Sequence, residues 1–131
     1  MGLTTNELLL KCNDVEIKKY SVYKISFIVN GNTYFYIGRT KDIKTRLRKH
    51  LYLLTNNKHY NNDMQLLFNI VGNTININIE FTTDNFRQCR IVEKELSCNI
   101  NCINISGLSQ FYINLSNCNL QKMREEILSI S

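Results

Sequence analysis

The chain contains no proline, and no repeat, linker or low-complexity tract divides its 131 residues. One domain with a substantial core is the expected organisation. No apolar run approaches the roughly 18 residues of a membrane span, so no membrane partner is expected. The opening Met1-Gly2-Leu3-Thr4-Thr5-Asn6 lacks a basic n-region and a small-residue cleavage site. An intracellular setting, cytoplasmic or at the nucleoid or nucleus, is expected rather than secretion. Five cysteines, at 12, 89, 98, 102 and 118, show none of the paired spacing of a secreted disulfide scaffold. Cys98 and Cys102 are the closest pair, but no second pair or nearby histidine completes a zinc site. With 21% charged residues and 16 isoleucines, the composition is not that of a disordered polymer.

What is plentiful is asparagine, 19 residues, together with Ile, Lys and Tyr. That mixture matches AT-rich codons and bears on the genome, not on function. Sixteen Lys+Arg against eleven Asp+Glu give +5, a modest excess that fits nucleic acid or an anionic surface. Its distribution is more informative. Arg39, Lys41, Lys44, Arg46, Arg48 and Lys49 fall within eleven positions, opposed there only by Asp42.

Along the chain, residues 5–12 read equally as a short helix or an edge strand. Val22 to Val29 and Thr33-Tyr34-Phe35-Tyr36-Ile37 are rich in β-branched and aromatic residues and predict two strands. Asn30-Gly31 between them favours the positive φ angles of a hairpin turn. Tyr23, Ile25 and Phe27 then share one face, as do Tyr34 and Tyr36. Gly38 allows a tight exit from the second strand. Asp42 is positioned to cap a helix on which Ile43, Leu47, Leu51 and Leu54 follow the 3.6-residue spacing of a buried stripe. Arg46 and His50, four apart, lie along its edge.

A second helix is expected from Asn62 to Val71, with Gly72 as C-cap. Ile75, Ile77, Ile79 and Phe81 alternate strictly with polar residues, as in a strand. Asp84 or Asn85 caps a further helix running to Cys98, with Cys89, Val92 and Leu96 inward and Glu93 near the buried boundary. From Asn119 to Ile130, Leu120, Met123, Ile127 and Ile130 share the face of a docking helix. The order β-β-α-α-β-α-α predicts a small α+β domain: a three-stranded antiparallel-type sheet with one face buried under helices.

Ser21-Val22-Tyr23, Tyr36-Ile37-Gly38, and Arg46 with His50 on the following helix resemble the GIY-YIG nuclease domain. The resemblance continues through His59 and Met64-Gln65, where the family often has Leu-Gln, to Glu93 and Asn104. It covers about residues 20–105, with 21–106 as the nuclease domain, 1–20 an N-terminal extension and 107–131 a C-terminal helical extension packed on the same domain. The first motif departs from the family in reading Ser-Val-Tyr rather than Gly-Ile-Tyr.

The resemblance implies a divalent-metal-dependent DNA endonuclease that hydrolyses phosphodiester bonds with a metal-activated water, using one Mg²⁺ (or Mn²⁺) held by Glu93. The residue chemistry is compatible with it. Tyr23 is a candidate base or base-relay whose free pKa near 10 would be favoured downward by Arg46 and a metal. Tyr36 is placed to orient the water or hydrogen-bond the phosphate. Arg46 offers a donor fork for phosphate oxygens. His50 is placed to orient Tyr23 or shuttle a proton. Glu93 is a hard oxygen ligand, with Glu95 as its rival. Arg39, Lys41, Lys44, Arg48 and Lys49 are expected on the DNA backbone, with His59 and Asn104 as further substrate contacts. Asn104 could otherwise orient Glu93. No separate recognition module is visible, so structure-selective (repair or recombination) or low-specificity cleavage is expected. A homodimer is expected only where both strands are cut. The alternative is a non-catalytic DNA-binding module that retains the fold.

Overall fold

The computed structural model describes residues 19–72 and 75–105. The segment over 5–12, the docking helix over 119–130 and most of both extensions lie outside the described residues. Three strands and three helices are seen: β1 (Tyr20–Val29), β2 (Asn32–Thr40), α1 (Ile43–Thr55), α2 (Asn62–Val71), β3 (Asn76–Thr83) and α3 (Phe86–Ser97). The fold is α+β, with one antiparallel sheet in the order β2-β1-β3.

The β1–β2 hairpin turns at Asn30 (φ 51°) and Gly31 (φ 80°). Both angles are positive, as a two-residue hairpin turn that follows the sheet's twist requires. β1 is the central strand, and its residues are buried on both sides. Tyr23, Ile25, Phe27 and Tyr34 form one core with Ile43, Leu47, Leu51 and Leu54 of α1 and Met64 and Leu67 of α2. Burial of each such side chain contributes about 1.5–3 kcal/mol before entropy is counted. Val22, Phe35 and Ile37 point the other way and pack with Cys89, Val92 and Leu96 of α3. The sheet is therefore covered on both faces, not one. The apolar residues of β1 run almost continuously, which is the mark of a strand buried on both sides.

Two further expectations are corrected. Ile79 packs in the α1/α2 core but Phe81 packs in the α3 core. A register shift opposite Val22 and Tyr23 pairs Val22 with Phe81 and Tyr23 with Ile79, leaving Glu80 as the extra residue. Such a bulge reverses the side-chain alternation beyond it. Gly38 is not the exit from β2 but lies inside it, paired with Tyr23. A Cβ there would overlap Cζ and Oη of Tyr23. Glycine is needed because the phenol of Tyr23 lies over its backbone.

The helix starts follow the local chemistry. Asp42 accepts from Thr45 N–H and Asn85 from Gln88 N–H; each satisfies a donor that the first helical turn leaves open. Gly72 occupies the C-cap of α2 in ordinary helical geometry, not the left-handed conformation of a glycine cap. The outer edge of β2 is closed by the segment 101–104. Phe35 N–H donates to Asn101 O, Ile103 N–H donates to Phe35 O, and the Asn104 amide brackets Ile37.

Candidate active site

The site is assembled where β1, β2, α1 and the loop before α2 meet. Tyr23 points from the centre of β1 across Gly38, and its ring is fully buried. The 3.6-residue spacing that buries Leu47 and Leu54 also turns His50 inward, so that its Nε2 lies 2.8 Å from Tyr23 Oη. Arg46, one turn earlier, donates from Nε to the same oxygen at 3.5 Å. Behind His50, Nδ1 meets Nε2 of His59 at 2.8 Å. The backbone N–H of Asn61 donates to His59 Nδ1 at 3.0 Å. Gln65 holds this loop, accepting from His59 N–H and donating to Leu54 O.

Tyr36 lies beside this chain, its ring 6.3 Å from Tyr23 and 5.3 Å from His50. Its hydroxyl is 3.4 Å from that of Tyr60. Tyr60 stacks on His59 at 4.3 Å and is largely exposed. It is a third tyrosine of the site that the motif reading missed. Asn61 was missed as well. It caps α2, accepting from Met64 N–H, donates to Ile103 O, and orients His59. The Asn61 side chain thus clamps the 101–104 segment while its N–H serves the histidines.

Burial dominates the electrostatics. It pushes the Tyr23 phenol up to about 12, against a smaller downward pull from the Arg46 hydrogen bond. Tyr36 is raised further by burial and by its hydrogen bond with Tyr60. Burial, with His59 and Arg46 adding repulsion, lowers His50 to about 3, and burial also lowers His59. Both imidazoles are thus neutral at pH 7. Arg46 is raised, chiefly by its hydrogen bond to Tyr23.

Across the sheet, Glu93 projects from α3 and meets Arg39 Nη1 at 3.8 Å, both side chains about one-third exposed (28% and 36%). Its charge still reaches Tyr23 as a minor upward influence. Glu93 offers a single hard carboxylate held by one long ion pair, and no cluster of three metal-ligating side chains occurs among the described residues. This donor set suits Mg²⁺ or Mn²⁺, which accept one or two carboxylates and complete their shell with water and phosphate. It does not suit zinc.

Two expected substrate contacts are placed elsewhere. His59 is buried, with both ring nitrogens engaged inside the protein. The Asn104 amide is occupied on both ends by Ile37, accepting from its N–H at 2.8 Å and donating to its carbonyl at 2.7 Å. It extends the β2 ladder beside Gly38 rather than orienting Glu93. Lys41, Arg48 and Lys49 are exposed and Lys44 is half-buried. Arg39 leans on the ring of Phe86 and Lys41 on that of Tyr20. A second basic stripe, Arg87, Arg90 and Lys94 on the exposed face of α3, adds to this surface. It escaped notice because its cations are spread over a helix instead of clustered in sequence.

Ser21, at the departure from the first motif, is paired on both sides within β1. Positive φ among the described residues occurs only at Asn30, Asn57 and Gly31, so position 21 makes no demand that only glycine could meet.

Compared with known families, residues 19–96 match the GIY-YIG catalytic domain, more than half of the chain. The chain belongs to the GIY-YIG family. No curated protein and no solved structure matches it. Membership implies a nuclease of the DNA endonuclease type, a hydrolase acting on DNA, in a family generally dependent on a divalent metal. The GIY-YIG match begins at Lys19 and ends at Leu96, so it takes in every side chain of the site except Asn104. No described helix is long and apolar enough to cross a membrane.

Proposed function

We propose that this protein is a divalent-metal-dependent DNA endonuclease in which water attacks a backbone phosphate beside Tyr23. Hydrolysis needs an activated water, stabilisation of charge at the phosphate and help for the leaving oxygen. Tyr23 is the residue proposed to handle the water's proton, and Tyr36 the residue that orients the water or the phosphate. Arg46, whose Nε is engaged by Tyr23, keeps its terminal nitrogens for phosphate oxygens. Glu93 would hold the ion, and when bound the ion supplies positive charge at the phosphate. The carrying observation is the convergence of His50 Nε2 and Arg46 Nε on Tyr23 Oη. Burial raises the Tyr23 phenol, and the Arg46 hydrogen bond offsets part of that rise; a second nitrogen on the same oxygen marks this hydroxyl as more than that of a packed sheet tyrosine.

Arg39, Lys41, Lys44, Arg48 and Lys49 are proposed to lie along the DNA backbone, contacts that position the strand without reading sequence. Structure-selective or low-specificity cleavage is the proposed mode, since such contacts read no sequence, and an intracellular setting is proposed with it. Neutralising about four phosphates would give a log–log salt slope of roughly −3 to −4. The test is cleavage of supercoiled plasmid with Mg²⁺, beside EDTA and Glu93→Ala controls, then a panel of junctions and flaps. Metal-dependent nicking that disappears in Glu93→Ala supports the enzyme. Salt-sensitive binding with no cleavage of any substrate in the panel would replace it with a non-catalytic DNA-binding module.

A further inference from the structure

The hydrogen bond from Asn61 N–H to His59 Nδ1 has a consequence for every proton behind Tyr23. A backbone N–H can only donate, so His59 Nδ1 is an acceptor and carries no hydrogen. A neutral imidazole must bear its one hydrogen on the other nitrogen, so His59 is protonated at Nε2. That hydrogen points at His50 Nδ1, 2.8 Å away, which must then be an acceptor. His50 in turn carries its hydrogen on Nε2, directed at Tyr23 Oη. The reverse polarity would require His59 to be an imidazolate. Arg46 Nε, always a donor, enters Tyr23 Oη from another side. Tyr23 therefore accepts twice, and its own hydroxyl proton finds no acceptor among the described residues.

We infer that Asn61 and His59 are positioning residues that lock His50 as a donor to Tyr23, so that the Tyr23 proton leaves toward the substrate side and never into His50. This rests on the nuclease reading and makes it more specific. In the reaction, the Tyr23 O–H bond breaks as its proton passes to a hydroxide ion arriving on the substrate side, which becomes water. The resulting phenolate is held by the N–H groups of His50 and Arg46. It then takes the proton of the attacking water as the new O–P bond forms and the bond from phosphorus to the leaving oxygen breaks. The leaving oxygen takes its proton from solvent. The groups facing His50 are Tyr23 on β1, Tyr36 on β2, Arg46 and Lys49 on α1, and His59 and Tyr60 in the loop. None of them is a carboxylate that would turn its ring around.

Long-range ¹H–¹⁵N correlation on ¹⁵N-histidine-labelled protein at pH 7 reads the tautomers directly. His50 and His59, the only two histidines in the chain, should both show hydrogen on Nε2 and a bare Nδ1. Hydrogen on Nδ1 of His50, or an imidazolium at either residue, overturns the inference. In single-turnover cleavage, His59→Leu should slow the reaction by roughly 10–100-fold, the scale for losing an orienting outer-layer partner, with DNA affinity unchanged. His59→Gln, whose amide can accept from Asn61 N–H and donate to His50, should recover most of that loss. Equal loss in both variants would also count against the inference. A protein that cleaves no DNA leaves the tautomer readout intact, so the two failures are separable.

Discussion

On the α1/α2 face of the sheet, Tyr23, His50 and His59 are buried, and each ring polar atom meets a partner. On the α3 face, Arg39 and Glu93 are partly solvated and meet only at 3.8 Å. The contrast separates two kinds of work. Low-dielectric surroundings give a hydrogen bond a defined direction, because an unpaired polar group there costs several times what it would in water. In the proposed reaction metal and phosphate must enter and leave, so the side chains proposed to hold them stay in water, where a long ion pair contributes little. β1 joins the two halves, and Gly38 lets the buried one reach the edge where the solvated one begins.

The comparison breaks most severely at Gly38. Gly38→Val puts atoms where the Tyr23 phenol lies. Overpacking should cost about 1–3 kcal/mol, and cleavage should fall on the order of 10²–10⁴-fold as Tyr23 is displaced. Single-turnover kinetics beside a denaturant titration would show both. A silent substitution would mean that Tyr23 need not occupy its present place.

Acid should strike the buried half next. His50 stays neutral in the fold down to about 3, while the unfolded chain takes up that proton near 6.5. The unfolded state therefore binds more protons between these values. Stability from this source is complete above about pH 6.5 and lost as pH falls toward 3, by as much as a few kcal/mol. Melting temperature against pH should be flatter over that window in His50→Gln than in the wild type.

Asn104→Ala removes two hydrogen bonds to Ile37 and should cost about 1–3 kcal/mol, read in denaturant. An effect on cleavage much larger than on stability would instead make Asn104 part of the reaction. On the solvated half, Arg39→Gln should change stability by less than about 1 kcal/mol but weaken DNA binding. Arg90→Gln with Lys94→Gln should make the salt slope shallower by about 2 if both cations meet phosphates; an unchanged slope would take α3 out of the DNA surface.

Much of the solvated half could be read from sequence, since charges cluster visibly and Glu93 follows a spaced pattern. The strands and α1 were legible from periodicity, and the hairpin from Asn30-Gly31. Less legible was anything decided by tertiary contact. The bulge that moves Phe81 to the far face leaves the alternation of Ile75, Ile77 and Ile79 undisturbed before it. Gly38 reads as a turn residue because its reason is the ring of Tyr23, fifteen positions earlier. Asn61 is one of 19 asparagines, and its role lies mainly in a backbone N–H, which every residue but proline carries. Tyr60 follows no motif and is recognisable only from its stacking on His59.

The central claim is that the buried tyrosine and the solvated glutamate serve one reaction, and a double-mutant cycle tests it most directly. Single-turnover cleavage would be measured for wild type, Tyr23→Phe, Glu93→Gln and the double variant, with DNA affinity alongside. Residues that act as a unit are strongly non-additive. Each single variant should lose at least about 10²-fold, and the double variant should be scarcely slower than the worse single, with affinity preserved throughout. Full additivity, or a Tyr23→Phe protein that cleaves like the wild type, would contradict it.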